Sequence, residues 1–282
     1  MQVHEKRRDI ETNVAVLLKE KKTIGFVPTM GALHRGHLAL VERAIQENDV
    51  VIVSIFVNPT QFNDNEDLVK YPRTLASDVD LLSELSSEII VFAPTPKEVY
   101  GDDMKSIKYD FEGLEHEMEG KFRPGHFDGV GTVLKHLFSI VSPTKAYFGE
   151  KDFQQLQIVK KLVEIEKMSV TIVGCPIYRE ESGLALSSRN KRLNEKQKTA
   201  SPLIYKTLKQ VKTDFGIKNV NTLYDWVSEQ FENSKELKLE YFEIAKISDL
   251  KSVKHKEKDI EYRAFIAVFA GEIRLIDNIA LN

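Results

Sequence analysis

The chain has 282 residues, 42% hydrophobic and 29% charged, with a net charge of −3 at neutral pH; this is an ordinary globular composition and excludes a nucleic-acid binder with a basic footprint. Its one cysteine, Cys175, excludes an intrachain disulfide, which fits a reducing, cytoplasmic setting. No apolar leader run opens the chain, and the longest apolar stretch, 50–57, is far shorter than a membrane span, so neither a membrane nor a nucleic-acid partner is expected.

A first helix is expected around Ile10, Val14, Leu17 and Leu18, followed by a strand at 24–27. Leu40, Val41, Ala44 and Ile45 mark a helix starting near Gly36. The run 50–57 is nearly continuous in apolar residues, as expected of a strand covered on both faces. Leu75, Val79, Leu82 and Leu85 mark the next helix, and 89–92 the next strand. The clearest helix is Val130, Val133, Leu134, Leu137, Phe138 and Val141, at spacings i, i+3, i+4, i+7, i+8 and i+11. A strand at 146–148, a helix through Phe153, Leu156, Val159 and Leu162, and a strand at 170–173 complete the series. This alternation predicts an α/β fold, a parallel sheet with helices on both faces. Past residue 176 two helices near 202–212 and 223–231 precede strands at 239–245 and 262–269, with a hairpin at Ala270 and Gly271 into 272–276. The expected organisation is a sheet domain over 1–175 and a smaller α+β domain over 176–282 that closes over the site. The stretch 246–258, with five lysines, reads as a solvated loop.

In a parallel sheet, ligands bind where strands end and helices begin. The first such turn runs Pro28, Thr29, Met30, Gly31, Ala32, Leu33, His34, Arg35, Gly36, His37. It puts two histidines three apart at a helix start, where backbone N–H groups and the helix dipole favour an anion. Two surface histidines would be the plain alternative. A zinc site is not expected, because no cysteine cluster or third ligand accompanies the pair. The strand at 50–57 leads into Asn58 and Gln61, amides suited to hydroxyl and carboxylate groups; loop capping by Asn58 is the alternative. Lys121 to Gly129 supplies Arg123 and His126 for an anion or a flap, while Asp128 reads as a helix N-cap. After the strand at 146–148 come Gly149, Glu150, Lys151, Asp152 and Gln155, with Lys151 a point charge suited to phosphate. Leu186, Ser187, Ser188 and Arg189 form a compact donor set for phosphate oxygens. Cys175 reads as a small buried hydrophobe.

Together PTMGALHRGH, FVNPTQF, RPGHFDG, YFGEKDFQQ and LALSSRN resemble the pantothenate synthetase (pantoate–β-alanine ligase) family, of the HxGH nucleotidyltransferase superfamily. The resemblance runs through residues 20–195 and is weaker beyond. It implies a Rossmann-like sheet and an ATP-dependent condensation of (R)-pantoate with β-alanine. That reaction passes through a pantoyl-adenylate and releases AMP and pyrophosphate. It implies ATP binding by Met30, Gly31, Ala32, Leu33, His34, Arg35, Gly36, His37, Gly149, Glu150, Lys151, Asp152, Tyr178, Leu186, Ser187, Ser188 and Arg189. His37, His34 and Lys151 become the catalytic residues, and Gln61, Gln155 and Asn58 the pantoate and β-alanine ligands. The family commonly has valine where this chain has Tyr178. The resemblance also implies Mg²⁺ with the nucleotide and a homodimer. The rival expectation is a nucleotidyltransferase that moves AMP from ATP to a phosphate-bearing acceptor.

Overall fold

The computed structural model describes residues 1–61, 68–69 and 71–282; Phe62, the last residue of the second motif, lies outside the described residues. The chain divides into two compact units, Met1–Glu150 with Gln154–Pro176, and Lys151–Phe153 with Ile177–Asn282.

The first unit holds a six-stranded sheet. Its strands are β1 (Gln2–His4), β2 (Ile24–Thr29), β3 (Val50–Ile55), β4 (Ile90–Phe92), β5 (Lys145–Gly149) and β6 (Thr171–Cys175). They lie in the order β1-β4-β3-β2-β5-β6, and every pairing is parallel. Its longer helices are α1 (Arg7–Lys19), α2 (Arg35–Glu47) and α3 (Leu75–Leu85). Two short helices, α4 (Pro96–Tyr100) and α5 (Met118–Phe122), lead to α6 (His126–Val141), and α7 (Phe153–Ile165) precedes β6. Successive strand residues point to opposite faces. Val27, Val53, Val91 and Tyr147 therefore pack on one face with Leu38, Val41 and Ala44 of α2 and Leu82 of α3. Phe26, the neighbour of Val27, meets Phe138 of α6 edge-on, with ring centroids 6.1 Å apart. Helices thus cover both faces, which explains why β3 reads as an unbroken apolar run. Cys175 ends β6 and is 4% exposed, with its thiol against Arg43. Burial raises its pKa.

The second unit is built on an antiparallel sheet, β7 (Leu237–Lys246), β8 (Tyr262–Ala270) and β9 (Ile273–Ala280), in that order. Gly271 and Glu272 make the turn between β8 and β9, where Ala270 pairs with Ile273. Three helices precede the sheet: α8 (Glu195–Ala200), α9 (Leu203–Phe215) and α10 (Val220–Glu232). Ile204, Leu208, Val211 and Phe215 form one stripe of α9, and Val220, Leu223, Val227 and Phe231 one stripe of α10. Both stripes join Phe242, Ile244, Tyr262, Ala264, Ile266 and Val268 in one core. Asn219 caps α10 by accepting the Thr222 N–H at 2.8 Å. Truncating a fully buried leucine here, such as Leu208, should cost about 2–5 kcal/mol. The lysine-rich loop is largely exposed. Two of its lysines have specific partners: Lys246 pairs with Glu257 at 2.6 Å, and Lys256 donates to the last carbonyls around α9, those of Phe215 and Lys218.

Candidate active site

The turn after β2 is held from several sides. Gly31 has φ +83° and Ala32 has φ +52°. A left-handed conformation costs an L-residue about 1–2 kcal/mol, so something must hold Ala32 there. That group is Asp78, in the first turn of α3 and 1% exposed. Its carboxylate accepts the N–H of Ala32 at 3.0 Å and of Leu33 at 2.8 Å. The Thr74 hydroxyl donates to it at 3.1 Å. Three donors satisfy the buried charge. Thr29 fixes the other side, accepting the Gly31 N–H at 3.2 Å and donating to the Ser54 carbonyl at 2.8 Å. Sequence reasoning missed Asp78, whose position reads only as an acid well placed at a helix start.

The clamped turn delivers His34 as the extended residue before α2, where its carbonyl accepts the N–H of His37 and Leu38. The imidazoles of His34 and His37 stack, with centroids 4.0 Å apart and planes 24° from parallel. Both are half-buried, and Arg35 between them is exposed. The structure thus brings the two histidines together in the first turn of a helix, where the dipole favours negative charge.

A second cluster forms after β3, on the same edge of the sheet. Asn58 is 1% exposed. Its amide nitrogen donates to the Gly129 carbonyl at 3.2 Å and reaches Gln61 Oε1 at 3.5 Å. Its oxygen accepts from the Tyr100 hydroxyl at 2.5 Å and the Thr60 hydroxyl at 3.0 Å. Burial pushes the Tyr100 hydroxyl up to about 12, so it stays a donor. The amide of Asn58 is spent on the turn, the capping role that the sequence left open. The turn presents Gln61, which is half-buried. Gly129 lets α6 approach this turn, since a Cβ there would lie 2.3 Å from the Thr60 carbonyl oxygen. His126, 5% exposed, donates from Nδ1 to the Gln61 carbonyl at 3.0 Å, and Arg123 donates to its Nε2 at 3.2 Å. A carbonyl only accepts, so this fixes the tautomer.

Asp128 is not a helix cap. Helix α6 starts at His126, with Gly125 at the cap position. Asp128 instead accepts the Tyr109 N–H at 3.1 Å and pairs with Lys108 at 3.1 Å. Beyond β5, the buried Gln154 uses its amide on the carbonyls of Leu114 and Glu117 and on the Glu119 N–H. Its neighbour Gln155 is half-buried.

In the second unit, Lys151 is half-buried and Asp152 exposed. Residues 178–186 form a hairpin, in which Leu186 donates to the Tyr178 carbonyl at 2.9 Å and Glu180 to the Leu184 carbonyl at 2.9 Å. The Tyr178 side chain is 42% exposed, and its carbonyl is already taken. The hairpin delivers Leu186, then Ser187, whose hydroxyl accepts the Arg189 N–H at 3.3 Å. Asn190, 7% exposed, ties this segment back to Glu180 and to the Ala185 carbonyl. Ser187 and Ser188 are half-buried, and Arg189 is exposed. Among the described residues, no group of three or more His, Cys, Asp or Glu could hold a metal ion, and no helix is long and apolar enough to cross a membrane.

Paired histidines in the first turn of the helix that follows a central strand of a parallel sheet suit an anionic ligand, as in nucleotide-using α/β enzymes. The model of the pantoate–β-alanine ligase family matches residues 2–280. The chain belongs to that family, a carbon–nitrogen ligase that forms pantothenate. A pantothenate synthetase of Flavobacterium psychrophilum is 55% identical over 282 residues, covering all of both chains. A pantothenate synthetase structure from Thermus thermophilus has a TM-score of 0.90 at 37% identity, covering 100% of this chain and 99% of that one. A pantoate–β-alanine ligase from Francisella tularensis, solved with β-γ ATP and β-alanine, has a TM-score of 0.81 at 37% identity, covering 100% and 98%. The family selects the ligase over transfer of AMP to a phosphate-bearing acceptor.

Proposed function

We propose that His34, His37 and Lys151 carry the chemistry, with Gln61 and Gln155 holding pantoate. A carboxylate is a poor electrophile, so it must first be activated. A pantoate carboxylate oxygen attacks the α-phosphorus of ATP. The bond to the bridging oxygen breaks, and pyrophosphate leaves with that electron pair. The β-alanine amine then attacks the carbonyl of the pantoyl-adenylate, and AMP leaves. No protein nucleophile is needed.

His34 and His37 donate to phosphate oxygens as charge builds on the leaving group. Lys151 acts on the α-phosphate as a point charge. Met30, Gly31, Ala32, Leu33, Arg35 and Gly36 shape the nucleotide's seat, with Gly149, Glu150, Asp152 and the main chain at Tyr178. Leu186, Ser187, Ser188 and Arg189 meet the phosphates. Gln61 also approaches β-alanine, and Asn58 serves by holding Gln61. Among the described residues no group of three or more His, Cys, Asp or Glu could cage a divalent ion, so Mg²⁺ would come with the nucleotide and offset the charge of its phosphates, and no residue is assigned to it. A cytoplasmic homodimer belongs to the same proposal; sedimentation velocity tests the dimer.

The stacked His34–His37 pair, set by the Asp78 clamp, carries this reading. The test is a product assay with ATP, Mg²⁺ and (R)-pantoate, with and without β-alanine. Pantoate-dependent pyrophosphate release is expected, with pantothenate and AMP accumulating only when β-alanine is present. Without pantoate-dependent pyrophosphate the reading fails.

A further inference from the structure

Lys151 sits far along the chain from the C-terminal strand, yet its main chain is held there. Asn278 of β9 is 1% exposed and donates its side-chain N–H to the Lys151 carbonyl at 2.9 Å. Its side-chain oxygen accepts from Arg263. Arg263, 7% exposed, lays its guanidinium 3.9 Å from the centroid of the Phe153 ring. Both ends of the Lys151–Phe153 segment are therefore fixed by β8 and β9.

The preceding residue holds the other segment. Asp277, 3% exposed, takes both arms of Arg179, at 2.6 and 2.9 Å. Arg179 is the second residue of the hairpin that ends at Leu186. It also donates to the Gly183 carbonyl at 3.1 Å and stacks 3.6 Å from the centroid of the Tyr205 ring. The main-chain N–H of Asn278 donates to the Asp277 carboxylate at 2.7 Å, which fixes that carboxylate against the strand that carries Asn278. Adjacent strand residues face opposite ways, so one dipeptide reaches two segments that a single side chain could not.

We propose that Asp277 and Asn278 are positioning residues that mount Lys151 and residues 186–189 on one buried polar frame. The frame sets where two groups of phosphate donors sit before the nucleotide arrives, and a bidentate arginine pair on a buried carboxylate keeps its geometry better than a flexible surface contact. This rests on the reading that those segments meet the phosphates of ATP.

The test is a double-mutant cycle between Asn278→Asp and Lys151→Ala. Asn278→Asp keeps the size of the side chain and an oxygen to accept from Arg263, removes the amide donor to Lys151, and adds a carboxyl group beside Asp277. A kcat at least about tenfold lower is expected, with the pantoate KM within about twofold, because a small misplacement of a charge-stabilising group acts on the transition state. In the Lys151→Ala background the same change should cost less than about twofold, since the group it positions is gone. Full additivity, or an unchanged kcat in the single variant, overturns the proposal. Near-normal turnover of Lys151→Ala alone overturns the phosphate reading, and this proposal with it. Should the aspartate variant not fold, Asn278→Ala takes its place in the cycle with the same expectation.

Discussion

Replacing Asp78 by Asn tests whether the β2–α2 turn is held from α3. The native carboxylate serves Leu33 through one oxygen and Ala32 with Thr74 through the other. An amide keeps one oxygen and turns an NH₂ toward at least one of those donors. An unpaired buried donor costs about 1–3 kcal/mol, and the left-handed Ala32, itself worth about 1–2 kcal/mol of strain, loses part of its restraint. A destabilisation of about 2–4 kcal/mol is expected, a large share of the ~5–15 kcal/mol typical of a fold. The activity effect should be larger than the stability effect suggests, because the turn aims His34 and His37. A displacement near 1 Å can cost on the order of 100-fold in turnover. The assays are the urea midpoint and pyrophosphate release at saturating substrates. Thr74→Val is the control: it removes one hydroxyl and leaves both backbone N–H bonds, so its turnover should stay near wild type. If Asp78→Asn kept its midpoint and turned over within about twofold of wild type, the clamp argument would be wrong.

His34→Ala should keep its far-UV circular dichroism while pyrophosphate release falls by roughly 100-fold or more; near-normal turnover would remove the histidine pair from the mechanism. Gln155→Ala should raise the KM for pantoate far more than that for ATP, and equal losses would sink its place in the acid pocket. Gly129→Ala puts a methyl 2.3 Å from the Thr60 carbonyl oxygen; it should cost about 1–3 kcal/mol and weaken pantoate use, because the displaced turn carries Gln61. His136 lies under Tyr100, where burial first, then Arg7 and Lys135, lowers its pKa below the ordinary 6.5. The unfolded chain therefore binds the proton more readily, so the stability is complete above about pH 6.5 and declines as pH falls below it. Urea midpoints across that range should flatten in His136→Asn, and an unchanged slope would refute the assignment.

The helix α6 was legible because its apolar residues repeat at helical spacing from Val130 to Val141. Strand β1 was not, since three residues with Val3 43% exposed carry no apolar run; its pairing with β4 is a tertiary fact. The strand expected over 50–57 stops at Ile55, because Phe56 and Val57 continue the apolar run into the turn. The hairpin strand expected over 272–276 continues to Ala280, where its polar residues Asp277 and Asn278 hide a buried role. Of the residues proposed for the chemistry, His34, His37 and Lys151 were visible as charge-bearing groups just past strand ends. Asp78, Arg179, Asp277 and Asn278 were invisible, because each acts on a segment tens of residues away and no local spacing records such a partner. Asn58 sat on the boundary between the two kinds, since a buried amide and a ligand-binding amide look alike until their neighbours are known.

The lone Cys175 has a consequence for experiments on this protein. Its thiol is buried and its pKa raised, so the folded chain presents almost no thiolate to a modifying reagent. Labelling must wait for the end of β6 to open. The rate of that labelling is then a built-in clock for opening of the sheet, read at one position, without adding a probe.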